Sequence, residues 1–457
     1  MKKLVALLLC LMMVVPATLA SAETAEGKVL NIWCWNDEFQ SRFNAYYPEV
    51  KEIAEDKSTT TLNDGTIVKW TINPNEGNNY QNKLDEALRA QESAAADDKI
   101  DIFLIEADYA LKYVDSPYTL DVKADIGLTD EDLGGQYKYT QEIATSADGK
   151  LKAVTWQATP GLFAYRRSIA KDVLGTDDPD AVQEALADWD KFNAVAEQAA
   201  AKGYYMLSGY DDAYRTFSNN VSAPWVADDG ETVVVDANLM KWVDQTKTYT
   251  EKGYNHKSSL WDATWAADQG PTGKVFGFFY STWGINFTLL GNSLATPTAE
   301  GGKEEVGNGI YGDYAVCEGP QPYYWGGTWI CGAAGSDNLE TIKDVMLKLT
   351  CDEAIMKQIT MDTQDYTNNE KAMNEIANSD YKSDFLGGQN HIALFAEAAT
   401  KIDMSNAGPY DQGLNESFQN AFKDYFTGNV EEDAAKANFE TAIKEKYPEL
   451  TDVVWPA

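Results

Sequence analysis

Val29-Leu-Asn-Ile-Trp-Cys-Trp-Asn-Asp-Glu38 carries the first decisive signal in this 457-residue chain. Its first seven residues form a nearly unbroken apolar run, the pattern of a β-strand covered on both faces. Three polar residues follow at once. A second such run, Ile100 to Ile105, leads into Glu106-Ala107-Asp108. Between them, the stretch to about Asp56 reads as helix and Asn63-Asp64-Gly65 as a hairpin turn. Ile67 to Ile72 reads as β, and Asn79 to Ala96 as helix with Leu84 and Leu88 on one face. Strands alternating with helices predict an α/β fold with parallel strands.

The alternation continues. After Asp148-Gly149, Leu151 to Tyr165 is a third strand region, interrupted by Pro160-Gly161. Ala181 to Lys202 reads as one helix, with Val182, Leu186, Trp189, Phe192 and Val195 at steps of three and four and Gly203 as its stop. Ala237 to Lys252 reads as another, capped by Asp236. Lys274 to Tyr280 is a buried strand ending in Ser281-Thr282-Trp283. A Gly-rich loop spans Gly301 to Gly312, Tyr323 to Ala334 is strand-like, and from about Asn338 the chain is mostly helix. Asn429 stands three residues before Glu432, a capping-box spacing for the last helix. No repeat or Pro/Ser-rich linker is present, so the domains are expected to be joined by several chain crossings.

Charge bounds the partners. The sequence holds 37 Lys+Arg against 72 Asp+Glu, a formal net charge of −35, with 13 Trp and two His. Such a chain lacks the basic footprint that nucleic acid requires. His256 and His391 are too few for an imidazole-rich metal site, and no metal or cofactor is expected. Lys2 and Lys3, the apolar run Leu4 to Val15, Pro16 and Ala20-Ser21-Ala22 read as a signal peptide over residues 1–22. No later stretch reaches about 18 apolar residues, so the mature chain is expected outside the cytoplasm, in the periplasm or at the cell surface. Leu9 stands where a lipobox before Cys10 requires a small residue. Cys34 is expected as a buried thiol, and pairing among Cys34, Cys317, Cys331 and Cys351 is left open.

In open α/β sheets, ligands bind beyond the carboxyl ends of the strands. Those ends hold Trp35-Asn36-Asp37-Glu38, then Asp108-Tyr109, then Trp156-Gln157, then Trp283 with Asn286 three residues on. Trp325 and Trp329 flank Gly326-Gly327, where backbone, as at Gly327, can approach a ligand closely, and one of the two rings is expected to face the cleft. Aromatics beside short polar side chains suit carbohydrate. The apolar C–H face of a pyranose lies on an indole or phenol, while carboxylates and amides bind its hydroxyls. Trp189 and Trp242 fall on helical apolar faces and are expected in the core, as is Trp33, and Trp70 is expected in the core or on a sheet face. Trp225, Trp261 and Trp265 are candidates for a cleft rim. Phosphate loops, a nucleophile elbow and an EF-hand are missing. Glu106 and Asp108 have no fixed separation, which a glycosidase pair would need.

Read in series, several motifs resemble the extracellular solute-binding proteins of sugar ABC importers, over about Lys28 to Leu450. They are Leu30-Asn-Ile-Trp-Cys-Trp-Asn36, Asp101-Ile-Phe-Leu-Ile-Glu-Ala-Asp108, Val154-Thr-Trp-Gln-Ala-Thr-Pro-Gly-Leu-Phe-Ala-Tyr165, Gly273-Lys-Val-Phe-Gly-Phe-Phe-Tyr-Ser-Thr-Trp283, Gly326-Gly-Thr-Trp-Ile-Cys-Gly-Ala-Ala334 and Tyr410-Asp411-Gln412. The resemblance implies a two-lobed, type II periplasmic-binding-protein-like fold with the ligand cleft between lobes and a hinge of several crossings. Lobe 1 would comprise 23–159 and 317–352, and lobe 2 would comprise 160–316 and 353–457. Carried over by position, Asp37, Glu38, Asp108 and Tyr109 line the first lobe. Trp156, Asp212, Tyr214, Trp283 and Tyr410, with Asp411 beside it, line the second lobe or the hinge. The implied function is capture of an oligosaccharide by a monomer that hands it to a membrane permease, with no chemistry of its own. An Asp-Glu pair follows the first strand where the family often has a basic residue, which points away from maltose. Two alternatives stay open: the same fold binding a polyamine or quaternary amine through cation–π attraction, and a glycosidase.

Overall fold

The computed structural model describes residues 27–456, so the expected signal peptide lies outside the described residues. Two β-sheets organise the chain. The larger runs β2 (Val50–Ile53), β3 (Thr59–Leu62), β4 (Ile67–Ile72), β1 (Val29–Cys34), β5 (Ile102–Glu106), β13 (Thr328–Gly332), β6 (Val154–Thr155). The central β1 is parallel to β4 and β5 and buries Leu30, Ile32 and Cys34 completely. The second sheet is antiparallel, in the order β11 (Gly277–Ser281), β7 (Gly161–Arg166), β12 (Tyr314–Cys317). Every residue of these three strands is buried. Two small parallel pairs complete the β-structure: β8 (Leu207–Gly209) with β10 (Asn255–Ser258), and β9 (Thr232–Val234) with β14 (Asp452–Val454). The chain passes between the two main sheets at 156–160 and again at 318–327.

The expectation of parallel strands is therefore corrected. β13 enters the larger sheet from the second one by a short crossing, not by a strand–helix–strand unit, and pairs antiparallel to β5 and β6. The hairpin β2–β3–β4 is antiparallel too, and Asn63-Asp64-Gly65 is its turn, as expected. The helix expected to about Asp56 ends at Tyr46. Pro48 drives Tyr47 into extended backbone (φ −73°, ψ 117°), the usual effect of proline on its predecessor, and the remainder becomes β2.

Ala181 to Lys202 is two helices, Pro179–Ala185 and Trp189–Ala201. Asp188 turns extended between them, and its carboxylate accepts the Lys191 N–H to start the second. Asp236 caps Ala237–Lys252 as expected, accepting from Asn238. Asn429 does not cap the last helix, Glu432–Lys446; its amide donates back to Asp424. The helix Glu353–Thr363 packs against Glu38–Tyr46 beside the larger sheet. All four described cysteines are free thiols. Burial, with Asp37 nearby, pushes the Cys34 thiol up to about 12. No described helix is long and apolar enough to cross a membrane.

Candidate functional site

β5 ends at Glu106, whose carboxylate accepts the Asp108 N–H at 2.7 Å and fixes the turn Ala107–Tyr109. The Gly327 carbonyl accepts the Ala107 N–H, tying this turn to the crossing segment. Asp108 then meets Arg215 of the helix Tyr214–Ser218. Nη1 and Nη2 donate to its two carboxylate oxygens, each at 2.8 Å. The guanidinium carbon lies 5.4 Å from the ring centre of Trp325. Burial pushes the Asp108 carboxyl up, but the charge and hydrogen bonds of Arg215 outweigh it and hold the group below its usual range. Burial and the neighbouring Asp108 charge push Glu106 up to about 8, with Arg215 opposing.

Aromatic rings continue from Trp325. Trp283, just beyond β11, donates its indole N–H to the Trp325 carbonyl at 2.9 Å. Gly326 makes that approach possible: a Cβ there would stand 2.8 Å from the indole nitrogen, and its φ is +76°. Trp283 meets Trp325 edge to face at 5.2 Å and lies parallel to Trp261 at 6.1 Å. Trp261 is 56% exposed and the neighbouring Phe287 78% exposed. On the larger sheet's side, Trp35 packs edge-on against Tyr80 and Tyr109. Asp411 opens the helix Asp411–Phe426, which packs against the 107–109 turn. Its carboxyl acts on Tyr214 and Tyr324, and burial pushes it up to about 7 against a Gly408 backbone hydrogen bond.

A second group forms beside the hinge. Gln157 Nε2 donates to Glu38 Oε1 at 2.9 Å and to Asp365 Oδ2 at 3.1 Å. Arg42 approaches Asp365 at 3.7 Å. Burial, then the Asp365 charge, push Glu38 up to about 7 against Arg42 and Gln157. Asp365 is also raised by burial. Trp156 is fully buried next to these groups, its ring 5.2 Å from Phe39.

The sequence profile of bacterial extracellular solute-binding proteins matches residues 57–385. The chain belongs to this family. This solute-binding protein matches no functionally curated protein in sequence. Its fold has clear structural counterparts. A crystal structure of an extracellular solute-binding protein of family 1 superposes with a TM-score of 0.70 at 15% identity, over 93% of this chain and 100% of that one. The ABC-transporter-associated binding protein of B. animalis subsp. lactis Bl-04, solved with β-1,6-galactobiose, gives 0.64 at 16% identity over 93% and 100%. The galacto-N-biose/lacto-N-biose I-binding protein of Bifidobacterium longum, solved with lacto-N-biose, gives 0.64 at 14% over 94% and 100%. The fold is the expected two-lobed periplasmic-binding-protein-like one. The family is one of solute-binding proteins, not enzymes, and the glycosidase alternative is dropped.

In this solute-binding protein, Trp35, Asp108, Tyr109, Tyr214, Trp283, Trp325, Gly327 and Asp411 gather around the Asp108–Arg215 pair. Glu38, Trp156 and Gln157 form the group beside the hinge. The other expected residues lie apart. Asn36 and Asp37 are exposed before the first helix, where Asn36 accepts the Glu38 N–H. One carboxylate oxygen of Asp212 accepts the Ser208 and Gly209 N–H groups, and burial with Asp211 nearby pushes the acid up to about 7. Asn286 lies one helical turn beyond Trp283. Tyr410 turns to the C-terminal helix, edge-on to Tyr447 and donating to Glu449. Of the rim candidates, Trp261 is exposed, while Trp225 and Trp265 are buried. Sequence reasoning missed Arg215, Asp365 and Phe287. Scarcity was the available signal for Arg215, one of five arginines in the chain.

Proposed function

We propose that this protein is the substrate-binding component of a carbohydrate ABC importer. As a monomer it captures a neutral oligosaccharide between its lobes and delivers it to a membrane permease. The observation that carries this reading is the run of rings Trp325–Trp283–Trp261 next to Asp108, Tyr109 and Asp411. Indole faces suit the apolar side of a pyranose, and carboxyl and phenol groups suit its hydroxyls. Two proteins of the same fold were solved with disaccharides, which supports the same ligand class here. In this reading the larger sheet belongs to lobe 1 and the second sheet to lobe 2, with the chain crossing between them at 156–160 and 318–327.

Charge supports an uncharged ligand over a polyamine or quaternary amine. Asp108 is already engaged by Arg215. Burial raises Glu38, Glu106 and Asp411 above the usual carboxylate range, which disfavours their charged forms. A thermal-shift panel of neutral oligosaccharides tests the proposal. One class should raise Tm in proportion to the logarithm of its concentration, with little response to added salt. Stabilisation only by spermidine or choline, lost at high salt, would replace this ligand with a cationic one. Silence across both sets would remove the reading.

A further inference from the structure

We propose that Arg215 and Asp108 form a latch between the lobes, an ion pair made entirely by the protein that draws it toward the closed arrangement independently of any solute. The inference rests on the two-lobed fold and not on the identity of the ligand.

The two partners belong to different halves. Asp108 lies in the turn after β5 of the larger sheet. Arg215, 107 positions later, lies on a short helix packed against Ala237–Lys252, outside that sheet. Trp325, beneath the guanidinium, belongs to the crossing 318–327, and Trp283 holds its carbonyl. One side chain thus touches both halves and the segment that joins them. The geometry is specific. Two hydrogen bonds of 2.8 Å place the planar guanidinium fork on both carboxylate oxygens, the arrangement that distinguishes Arg from Lys. An indole face adds cation–π attraction. An exposed pair on two mobile side chains contributes little; with Arg215 25% and Asp108 38% exposed, this pair owes its strength to the two-pronged geometry and the indole face.

Opening the cleft separates β5's turn from the helix Tyr214–Ser218 and must break this pair. Contacts made in only one of two arrangements set their relative populations. The apparent affinity for any solute that binds the closed arrangement scales with the closed fraction. Loss of the latch should therefore weaken every such ligand by one common factor, whatever groups the ligand carries.

The test is small-angle X-ray scattering of the full mature chain without added solute, on wild type, R215A, R215K, D108N and the R215A/D108N double variant. Circular dichroism and a cooperative melt show that each is folded. R215A and D108N should each enlarge the radius of gyration, matching a shift of about tenfold in the closed-to-open ratio. The double variant should open no further than either single one, because both remove the same pair. R215K should fall between, since an ammonium cannot form the two-pronged contact. Radii equal to wild type in all variants, or single effects that simply add, would overturn the latch. If R215A does not fold, R215K and D108N decide the matter by the same readout. No sugar enters the measurement, so a silent oligosaccharide panel leaves this result standing, and the reverse also holds.

Discussion

Gln157 shows how much one amide controls. Its two N–H groups separate Glu38 from Asp365, and both carboxyls have given up most of their water. Gln157→Leu leaves them facing each other with Arg42 as the cation beside them. The variant should lose about 1–3 kcal/mol of stability, the usual cost of stranding buried polar groups. The loss should be greater at pH 8 than at pH 5, because Glu38, raised to about 7, is charged only at the higher value. Urea denaturation at the two pH values measures this, and an equal loss at both would contradict it. Trp283→Ala should weaken ligand binding by about 1–3 kcal/mol, the scale of stacked rings removed by alanine. Calorimetry on the stabilising sugar checks it, and an unchanged Kd would take Trp283 out of the site. Trp283, Asp108 and Tyr109 were legible because each follows a strand. Arg215 and Asp365 were not, because their significance lies in partners 107 and 208 positions away. Trp156 read as a cleft residue, but Phe39 of the first helix closes over its ring.

At the scale of elements, β7 is the strand on which the second sheet depends, since β11 and β12 both pair with it. Its first residue, Gly161, lies under the Tyr323 ring, whose hydroxyl donates to the carbonyls of Leu162 and Tyr280. A Cβ on Gly161 would stand 2.1 Å from that ring. Gly161→Ala should therefore destabilise the protein by about 1–3 kcal/mol or more through overpacking, read as a lower urea midpoint. A midpoint equal to wild type would show that Tyr323 moves aside freely. Elements governed by local chemistry were legible: β1, the 63–65 turn and the Asp236-capped helix fall where the residues put them. Strand direction was not. β13 carries the same apolar run in either orientation, and only its arrival from the second sheet makes it antiparallel. The break at Asp188 was hidden because Val182, Leu186 and Phe192 keep helical spacing across it.

The molecule as a whole should be most stable on the acid side of neutrality. Burial raises Glu106 to about 8 and Glu38, Asp212 and Asp411 to about 7. The native state then holds protons that the unfolded chain releases, so stability falls as pH rises from about 5 through 8. Repulsion within a chain of net charge −35 acts in the same direction. His391 opposes on the other flank: burial lowers it to about 4, so stability is also lost as pH falls below about 6.5 toward 4. Thermal melts should give a lower Tm at pH 8 than at pH 5.5, and a Tm that rises across that interval would contradict the assignment. Alternating strands and helices were enough to read an α/β chain and strand-end chemistry to place a candidate cleft, while the two lobes came from the family resemblance; the Asp108–Arg215 pair, formed across 107 positions, is announced by no local pattern. One exposed ring has an optical consequence. Trp261 stands 56% open to water with Trp283 parallel beside it, while Trp156, Trp242, Trp265 and Trp329 are sealed in the interior. A solute that covers Trp261 should shift the protein's ultraviolet emission to shorter wavelength above a constant background, so that capture of a colourless molecule can be followed in real time without any label.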